Sequence, residues 1–235
     1  MTGASGNGQS PPADSTSQVP VWLADLARSA ERMVVPAALR PPPGGGRPSA
    51  ILILFGVGTA GPDVLIVQRS AGLRRHPGQP AFPGGAIDAA DGGPAAAALR
   101  EAAEEALVEP DSVQVIAVLP DLYISRSGFR VSPVLAWWRE PGPVAPGDLD
   151  EVAAVARVPV AELADPDRRL MIRYPSGTTG PAFRAGEMLI WGFTAYLLDR
   201  LLALGGWERP WDSDHVADLP AGAALTGFDS PGPAA

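Results

Sequence analysis

The sequence predicts a mixed α/β domain of the α+β kind, a sandwich of helices against a mixed sheet, and three observations carry that prediction. Short apolar runs with strand character at residues 50–55, 64–68, 113–119 and 131–138 lie on both sides of an alanine-rich helical stretch at 94–106. Strands and helices do not alternate in the regular βαβ rhythm that a doubly wound parallel sheet requires. A chain of 235 residues with 46% hydrophobic side chains is also long and apolar enough to bury one catalytic-size core.

In chain order, residues 1–20 are mostly Gly, Ser, Pro and Gln, which predicts a disordered N-terminal tail. Residues 21–33 have helical spacing, with Trp22, Leu23, Leu26, Ala30 and Met33 on one face and Asp25, Arg28, Ser29 and Arg32 on the other. The Pro/Gly cluster at 41–48 reads as a linker. Residues 50–55 and 64–68, joined by a Gly/Pro turn, read as a hairpin. Pro94 suits the first turn of the central helix. Residues 187–204 are apolar on most of their surface and predict a second long, buried helix. The end of the chain returns to Ala, Gly and Pro, so one folded domain is expected at 21–216, with a flexible tail at 217–235.

Charge and composition narrow the chemistry. The 18 basic residues are all Arg, against 26 acidic ones, and a net charge of −8 argues against a nucleic-acid partner. The chain has no Cys, which excludes disulfides, thiolate metal sites and thiol nucleophiles. With only His76 and His215 as imidazoles, any metal is expected on oxygen. The first basic residue is Arg28, and the longest largely apolar run, 188–198, is 11 residues. Neither a signal peptide nor a membrane span is expected, and a cytoplasmic protein is the default. The Lys-free, Ala/Arg/Gly/Pro-rich composition points to a GC-rich bacterial genome.

Two motifs compete for attention. Gly56-Val57-Gly58-Thr59-Ala60-Gly61 has the G-x-G-x-x-G spacing of a dinucleotide site, which needs a helix next so that its N-terminus faces the pyrophosphate. Pro62-Asp63 and the strand-like Val64-Leu65-Ile66-Val67 stand there instead, so the glycines read as a hairpin turn. The chemistry-bearing stretch is Arg100-Glu101-Ala102-Ala103-Glu104-Glu105. Helix positions i, i+3 and i+4 share a face, so the three carboxylates project together and repel unless a cation sits between them. Hard oxygen donors suit Mg²⁺ or Mn²⁺. Arg100 can pin one carboxylate, and the small face of Ala95, Leu99, Ala102, Ala103 and Ala106 can lie close on a sheet. An isolated run of this kind is more often a solvated acidic face, so its surroundings decide.

Upstream, Phe82-Pro83-Gly84-Gly85 leads through Asp88 and Asp91 toward the helix. With Arg100-Glu101-x-x-Glu104-Glu105 this resembles the Nudix hydrolase signature, G-x5-E-x7-R-E-U-x-E-E-x-G-U with U aliphatic. Gly85 takes the first Gly, Asp91 the place of the first acid, and Val108 the final U. Asp91 replaces Glu, the gap to Arg100 is one residue longer, Ala102 is a weak U and Leu107 replaces the last Gly. An earlier stretch, Leu65-Ile66-Val67-Gln68-Arg69-Ser70 followed by Arg74, Gly78 and Phe82-Pro83-Gly84-Gly85, resembles the LLTxRSx3Rx3Gx3FPGG pattern of the coenzyme A pyrophosphatase branch. That branch often carries the longer gap with Asp. Leu119-Pro120-Asp121-Leu122-Tyr123-Ile124, Ser127-Gly128-Phe129, Val131-Ser132-Pro133-Val134 and Ile190-Trp191-Gly192 with Thr194-Ala195 are similar to it too, so the resemblance spans about residues 50–204.

The resemblance implies a Nudix-type α/β/α sandwich and metal-dependent hydrolysis of the diphosphate bond of coenzyme A or its thioesters, giving 3′,5′-ADP and 4′-phosphopantetheine or its acylated form. It implies Mg²⁺ or Mn²⁺ on Glu104 and Glu105, with the Gly84 carbonyl as a further ligand, and Glu101 as another ligand or as the base. Glu151 and Glu187 are candidate bases outside the helix, and Arg100 orients a helix carboxylate. A polyanionic substrate on an acidic protein needs local Arg, which makes Arg69 and Arg74, with Arg75 beside them, the candidates for phosphate contact. Arg69 at a strand end has an ion pair as its alternative. His76 reads as incidental, and Ser70 has no other His to activate it. Trp22 and Trp191 either stack an adenine or fill the core. The rival readings are a Nudix hydrolase of another nucleoside diphosphate, such as ADP-ribose or NADH, and a silent nucleotide-binding module, which Leu107 and Ala102 encourage and the intact carboxylates oppose. A homodimer is left open. Leu107 itself either takes the left-handed conformation at about 1–2 kcal/mol, or lets the helix run on to Glu109 before Pro110 stops it.

Overall fold

A long hairpin forms the spine of the molecule. The computed structural model describes residues 18–73 and 77–219. Strand β1 (Arg47–Gly58) turns into β2 (Gly61–Arg69) with Gly58 paired to Gly61, leaving Thr59-Ala60 as a two-residue tip. Gly61 has a φ of 95°, which an L side chain rarely adopts, so the glycine fingerprint serves the turn.

Around the hairpin the chain places α1 (Val21–Ala30), β3 (Pro80–Ala81), β4 (Gly84–Ala86), α2 (Pro94–Ala106), β5 (Val113–Val118), β6 (Leu122–Ile124), β7 (Phe129–Trp138) and β8 (Val152–Pro159). The first sheet runs β3-β2-β1-β7-β5, with β4 beside β1, β6 on β7 and β8 on β2. Strands β1 and β7 pair in parallel and the other pairs in this sheet are antiparallel. Next come α3 (Val160–Leu163), β9 (Arg169–Arg173), β10 (Thr179–Ala185), β11 (Met188–Ile190), α4 (Gly192–Leu204) and β12 (Val216–Asp218). The second sheet has the order β11-β10-β9-β12. Among the described residues no helix is long and apolar enough to cross a membrane.

Strand periodicity splits the core into two layers. Leu52, Leu54, Val134 and Ala136 pack on one face with Ala97, Ala98, Ala102 and Ala106 of α2. Ile53, Phe55, Leu135 and Trp137 pack on the other with Leu23 and Leu26 of α1 and Leu197 and Leu198 of α4. The result is the expected α/β/α sandwich on a mixed sheet. Alanine at the α2 contacts lets that helix lie close to the strands, within reach of the loop around β4. Trp22 meets Phe55, Trp137 and Trp207 edge-on, with ring centroids 5.7, 6.3 and 5.3 Å apart, and Trp191 is buried in the second sheet's cluster. Trp191 is a core residue, and Trp22 packs partly buried against the core.

Three boundaries differ from the sequence-based expectation. The helix expected over 187–204 begins at Gly192, because Gly186 (φ 55°) and Glu187 turn β10 into β11 and Met188–Ile190 pairs as a strand. Strand β1 starts at Arg47, inside the expected 41–48 linker, since its first residues pair with Phe129 and Arg130. Strand β12 pairs with Met171–Arg173, so regular structure continues past the expected domain edge at 216. The rest of the proposed C-terminal tail from 220, and residues 1–17 of the N-terminal one, lie outside the described residues.

Helix α2 stops at Ala106, and Leu107 adopts the left-handed conformation (φ 55°), the only non-glycine residue among those described to do so. The loop at 142–148 closes over the helix end: the Gly147 N–H donates to the Glu105 carbonyl at 3.2 Å, and a Cβ at Gly147 would overlap the Glu104 carbonyl. The helix closes at Leu107, whose N–H donates to the Ala103 carbonyl at 3.2 Å while the Val108 N–H donates to that of Ala102 at 3.3 Å, and Leu107, 52% exposed, recovers little by burial. Relief of the strain predicts that Leu107→Gly raises stability by about 1 kcal/mol, less whatever the freer unfolded chain takes back. Thermal unfolding would then shift up by about 2–4 °C; an unchanged or lower midpoint would contradict this reading.

Candidate active site

The site forms where α2 crosses the Gly-Gly loop. Neither Gly84 nor Gly85 has a positive φ; glycine is required here for space. A Cβ at Gly84 would overlap the Ala50 carbonyl of β1, and one at Gly85 would overlap the Glu101 carboxylate. The loop backbone is thereby pressed between the sheet and the acidic face of the helix.

Glu105 is the deepest of the three helix carboxylates, 5% exposed. Its Oε2 accepts from the Gly84 N–H at 3.0 Å and its Oε1 from Arg69 Nη1 at 3.3 Å. Burial pushes its pKa up to about 7; the Gly84 hydrogen bond and the Arg69 charge oppose the shift, and the charges of Glu101 and Glu151 add to it. Glu101 is also raised, chiefly by burial, with Arg100 opposing and Glu104 and Glu151 adding. Glu104 is the outward member, its side chain 59% exposed.

Arg100 holds the cluster from the other side. Its Nε and Nη2 donate to the two carboxylate oxygens of Asp91 at 3.1 and 3.2 Å. Its Nη1 donates to Glu101 at 2.9 Å and Glu104 at 3.0 Å, and Nη2 also reaches the Ala86 carbonyl at 3.1 Å. Hydrogen bonding to Arg100, with the Asp88 N–H, holds Asp91 below the usual carboxylate range, and Arg100 itself is held more firmly protonated. Asp91, matched to the motif without a role assigned, is thus the principal anchor of Arg100; its place as the first acid of the motif was the available signal.

The remaining candidates fall in different places. Arg69 ends β2 and pairs with Glu105, while its Nε is buried without a hydrogen-bond partner among the described residues. Arg74, like Arg75 and His76, lies outside the described residues. Glu151 sits just before β8, exposed, and its charge acts on both buried glutamates. Glu187 occupies the β10–β11 turn, and neither glutamate shift traces to it.

The donor set fits a hard divalent cation. It consists of oxygen alone, the three carboxylates of one helix face, with neither sulfur nor imidazole. Burial raises both Glu101 and Glu105, and neighbouring carboxylate charges add to each shift, which a cation among them would relieve. Among the described residues no three acidic or imidazole side chains already converge on one point. Arg100 draws Glu101 and Glu104 to itself while Arg69 and Gly84 hold Glu105.

Comparison with known proteins agrees with this geometry. The NUDIX domain family matches residues 46–175, which include the hairpin, the Gly-Gly loop and α2. The chain belongs to the Nudix family. An uncharacterized Nudix hydrolase NudL from Citrobacter koseri is 40% identical over 173 residues, covering 70% of this chain and 85% of the relative. A second from Cronobacter sakazakii is 45% identical over 162 residues, 63% of this chain and 78% of the relative. The crystal structure of a Nudix hydrolase from M. smegmatis, RenU, is similar with 28% identity and a TM-score of 0.42, covering 51% of this chain and 74% of that one. The Nudix chain is accordingly a pyrophosphatase hydrolase, and the family match takes in helix α2 and the Gly-Gly loop.

Two outcomes test the site. Gly85→Ala should fold with a near-native melting point, because the overlapping group is the end of a flexible side chain, yet displacing Glu101 should lower turnover about 100-fold; wild-type turnover would show that the close approach is unnecessary. Glu105 binds its proton in the folded state up to a pH of about 7, against 4.5 when unfolded. Its contribution to stability is therefore full below 4.5 and is lost as pH rises through 7, on the order of 3 kcal/mol in metal-free protein. In urea unfolding with EDTA, Glu105→Gln should accordingly gain on wild type between about pH 5 and pH 8. A difference independent of pH would contradict the assignment.

Proposed function

We propose that this Nudix hydrolase cleaves the diphosphate bond of coenzyme A or its thioesters, releasing 3′,5′-ADP and 4′-phosphopantetheine or its acylated form, with Mg²⁺ or Mn²⁺ as cofactor. One observation supports this reading more than any other. The stretch that resembles the coenzyme A pyrophosphatase pattern runs from Leu65 to Gly85, and two of its motif residues, Arg69 and Gly84, bond to the same catalytic-helix carboxylate, Glu105. The feature that would select the substrate is built into the catalytic face.

In this mechanism Glu101, Glu104 and Glu105 with the Gly84 carbonyl would hold the cation. Its chemistry is to neutralise the charge that develops on the phosphoryl oxygens. A water oxygen attacks one phosphorus of the diphosphate, the bond from that phosphorus to the bridging oxygen breaks, and the bridging oxygen leaves with the electron pair as phosphate. Glu101 or Glu151 takes the proton of the water; the charge of each acts on the buried Glu105 carboxyl. Arg100, locked by Asp91, keeps Glu101 and Glu104 aimed. Arg69, its side chain 27% exposed, brings its guanidinium charge to a substrate phosphate beside Glu105.

The test is product analysis by HPLC after incubation with coenzyme A, ADP-ribose or NADH, each with Mg²⁺ and with EDTA. Metal-dependent 3′,5′-ADP from coenzyme A is expected, and a Glu104→Gln/Glu105→Gln variant should form none. Turnover of ADP-ribose or NADH in place of coenzyme A would overturn the substrate assignment. Nucleotide binding without any turnover would overturn the enzyme reading in favour of a silent module.

A further inference from the structure

The family match ends at residue 175, so helix α4 lies beyond it. That helix nonetheless touches the strand that leads into the Gly-Gly loop. Thr194, buried in its first turn, donates its hydroxyl to the Pro80 carbonyl at 3.1 Å. The start of α4 is itself fixed: Gly192 (φ 68°) donates its N–H to the Tyr174 hydroxyl at 3.1 Å, and a side chain at Gly192 would crowd the amide of Gln79. Buried Arg169 of β9 pairs with Asp199 of α4, fastening the helix to the second sheet.

Pro80 needs such a partner. Strand β3 is two residues long and lies at the edge of its sheet, paired with β2 through Val67–Ala81 and Gln68–Pro80. On the β2 side the Arg69 N–H takes the Gln79 carbonyl at 3.1 Å. The Pro80 carbonyl is buried and Thr194 is its side-chain donor. From Pro80 to Gly84 the chain is stiff, with φ set by proline at 80 and 83, and the Pro83 carbonyl accepts from Leu52 N–H at 2.8 Å. The next N–H, that of Gly84, holds Glu105.

We propose that Thr194 is a positioning residue for the hydrolase reaction. By fixing Pro80 it sets the Gly84 N–H, and through it the Glu105 carboxylate, so that the segment beyond the shared domain completes the active site. This rests on Glu105 acting as proposed above, whichever diphosphate is the substrate.

The experiment compares full-length wild type, Thr194→Val and Thr194→Ser on a diphosphate that wild type hydrolyses. Hydrogen–deuterium exchange of the peptide covering residues 79–86 is followed alongside. Loss of the hydroxyl in Thr194→Val should lower kcat about tenfold with KM within about twofold. It should also speed exchange locally at 79–86, and Thr194→Ser should restore both. If kcat per folded molecule is unchanged, if exchange rises uniformly and not at 79–86, or if Ser fails to rescue, the positioning role is overturned. Turnover of ADP-ribose in place of coenzyme A overturns only the substrate reading, and Thr194 is then judged on ADP-ribose. An active Glu105→Gln enzyme overturns the role of the carboxylate, and with it the route through which Thr194 acts.

Discussion

The N–H of Gly84 and the guanidinium of Arg69 meet on one buried carboxylate, Glu105, and this contact joins three stretches far apart in the chain. Strand β2 delivers Arg69, the loop at β4 delivers the N–H, and α2 delivers the acid. Burying a carboxylate is costly unless it is paired and hydrogen-bonded. Here the two partners offset only part of that cost, and the carboxyl stays near pKa 7 with Glu101 and Glu151 pressing it the same way. Much of the surrounding architecture serves to keep the groups in place: the alanine face of α2, the bare backbone of Gly84 and Gly85, and the edge strand that Thr194 braces.

Arg100 plays the complementary part at the surface. It spreads over Asp91, Glu101, Glu104 and the Ala86 carbonyl, so that one cation spaces two of the three helix acids and ties the helix to the loop. Exposed ion pairs contribute little singly, but a planar donor engaged on four groups restricts orientation. The acid cluster is therefore neither a solvated helix face nor a set of free carboxylates. Two arginines hold it in shape.

Much of this was legible in the sequence wherever a signal is local. The hairpin, the helix from Pro94 to Ala106 and the shared face of Glu101, Glu104 and Glu105 follow from periodicity and turn residues over a few positions. The dinucleotide fingerprint failed at once for want of a helix after it. Where sequence reasoning missed, a distant partner decided. Met188–Ile190 looked helical because it is apolar and continuous with α4, and pairing with β10 made it a strand. Leu107 takes the left-handed conformation at a helix end over which Gly147, forty positions on, packs and donates to the Glu105 carbonyl. The choice between phosphate contact and ion pair at Arg69 depended on Glu105 arriving beside it, and the tie between Thr194 and Pro80 spans 114 positions.

The central claim is that Glu105 is a buried carboxylate held ready for a divalent cation. Isothermal titration of metal-free wild type and Glu105→Gln with Mn²⁺ near pH 7, in two buffers of different ionisation heat, tests it most directly. Because burial pushes the Glu105 pKa up to about 7, the account predicts release of a fraction of a proton on binding to wild type. It predicts no such release, and at least roughly tenfold weaker binding, for the variant. Equal affinity and equal proton release in the two proteins would contradict it.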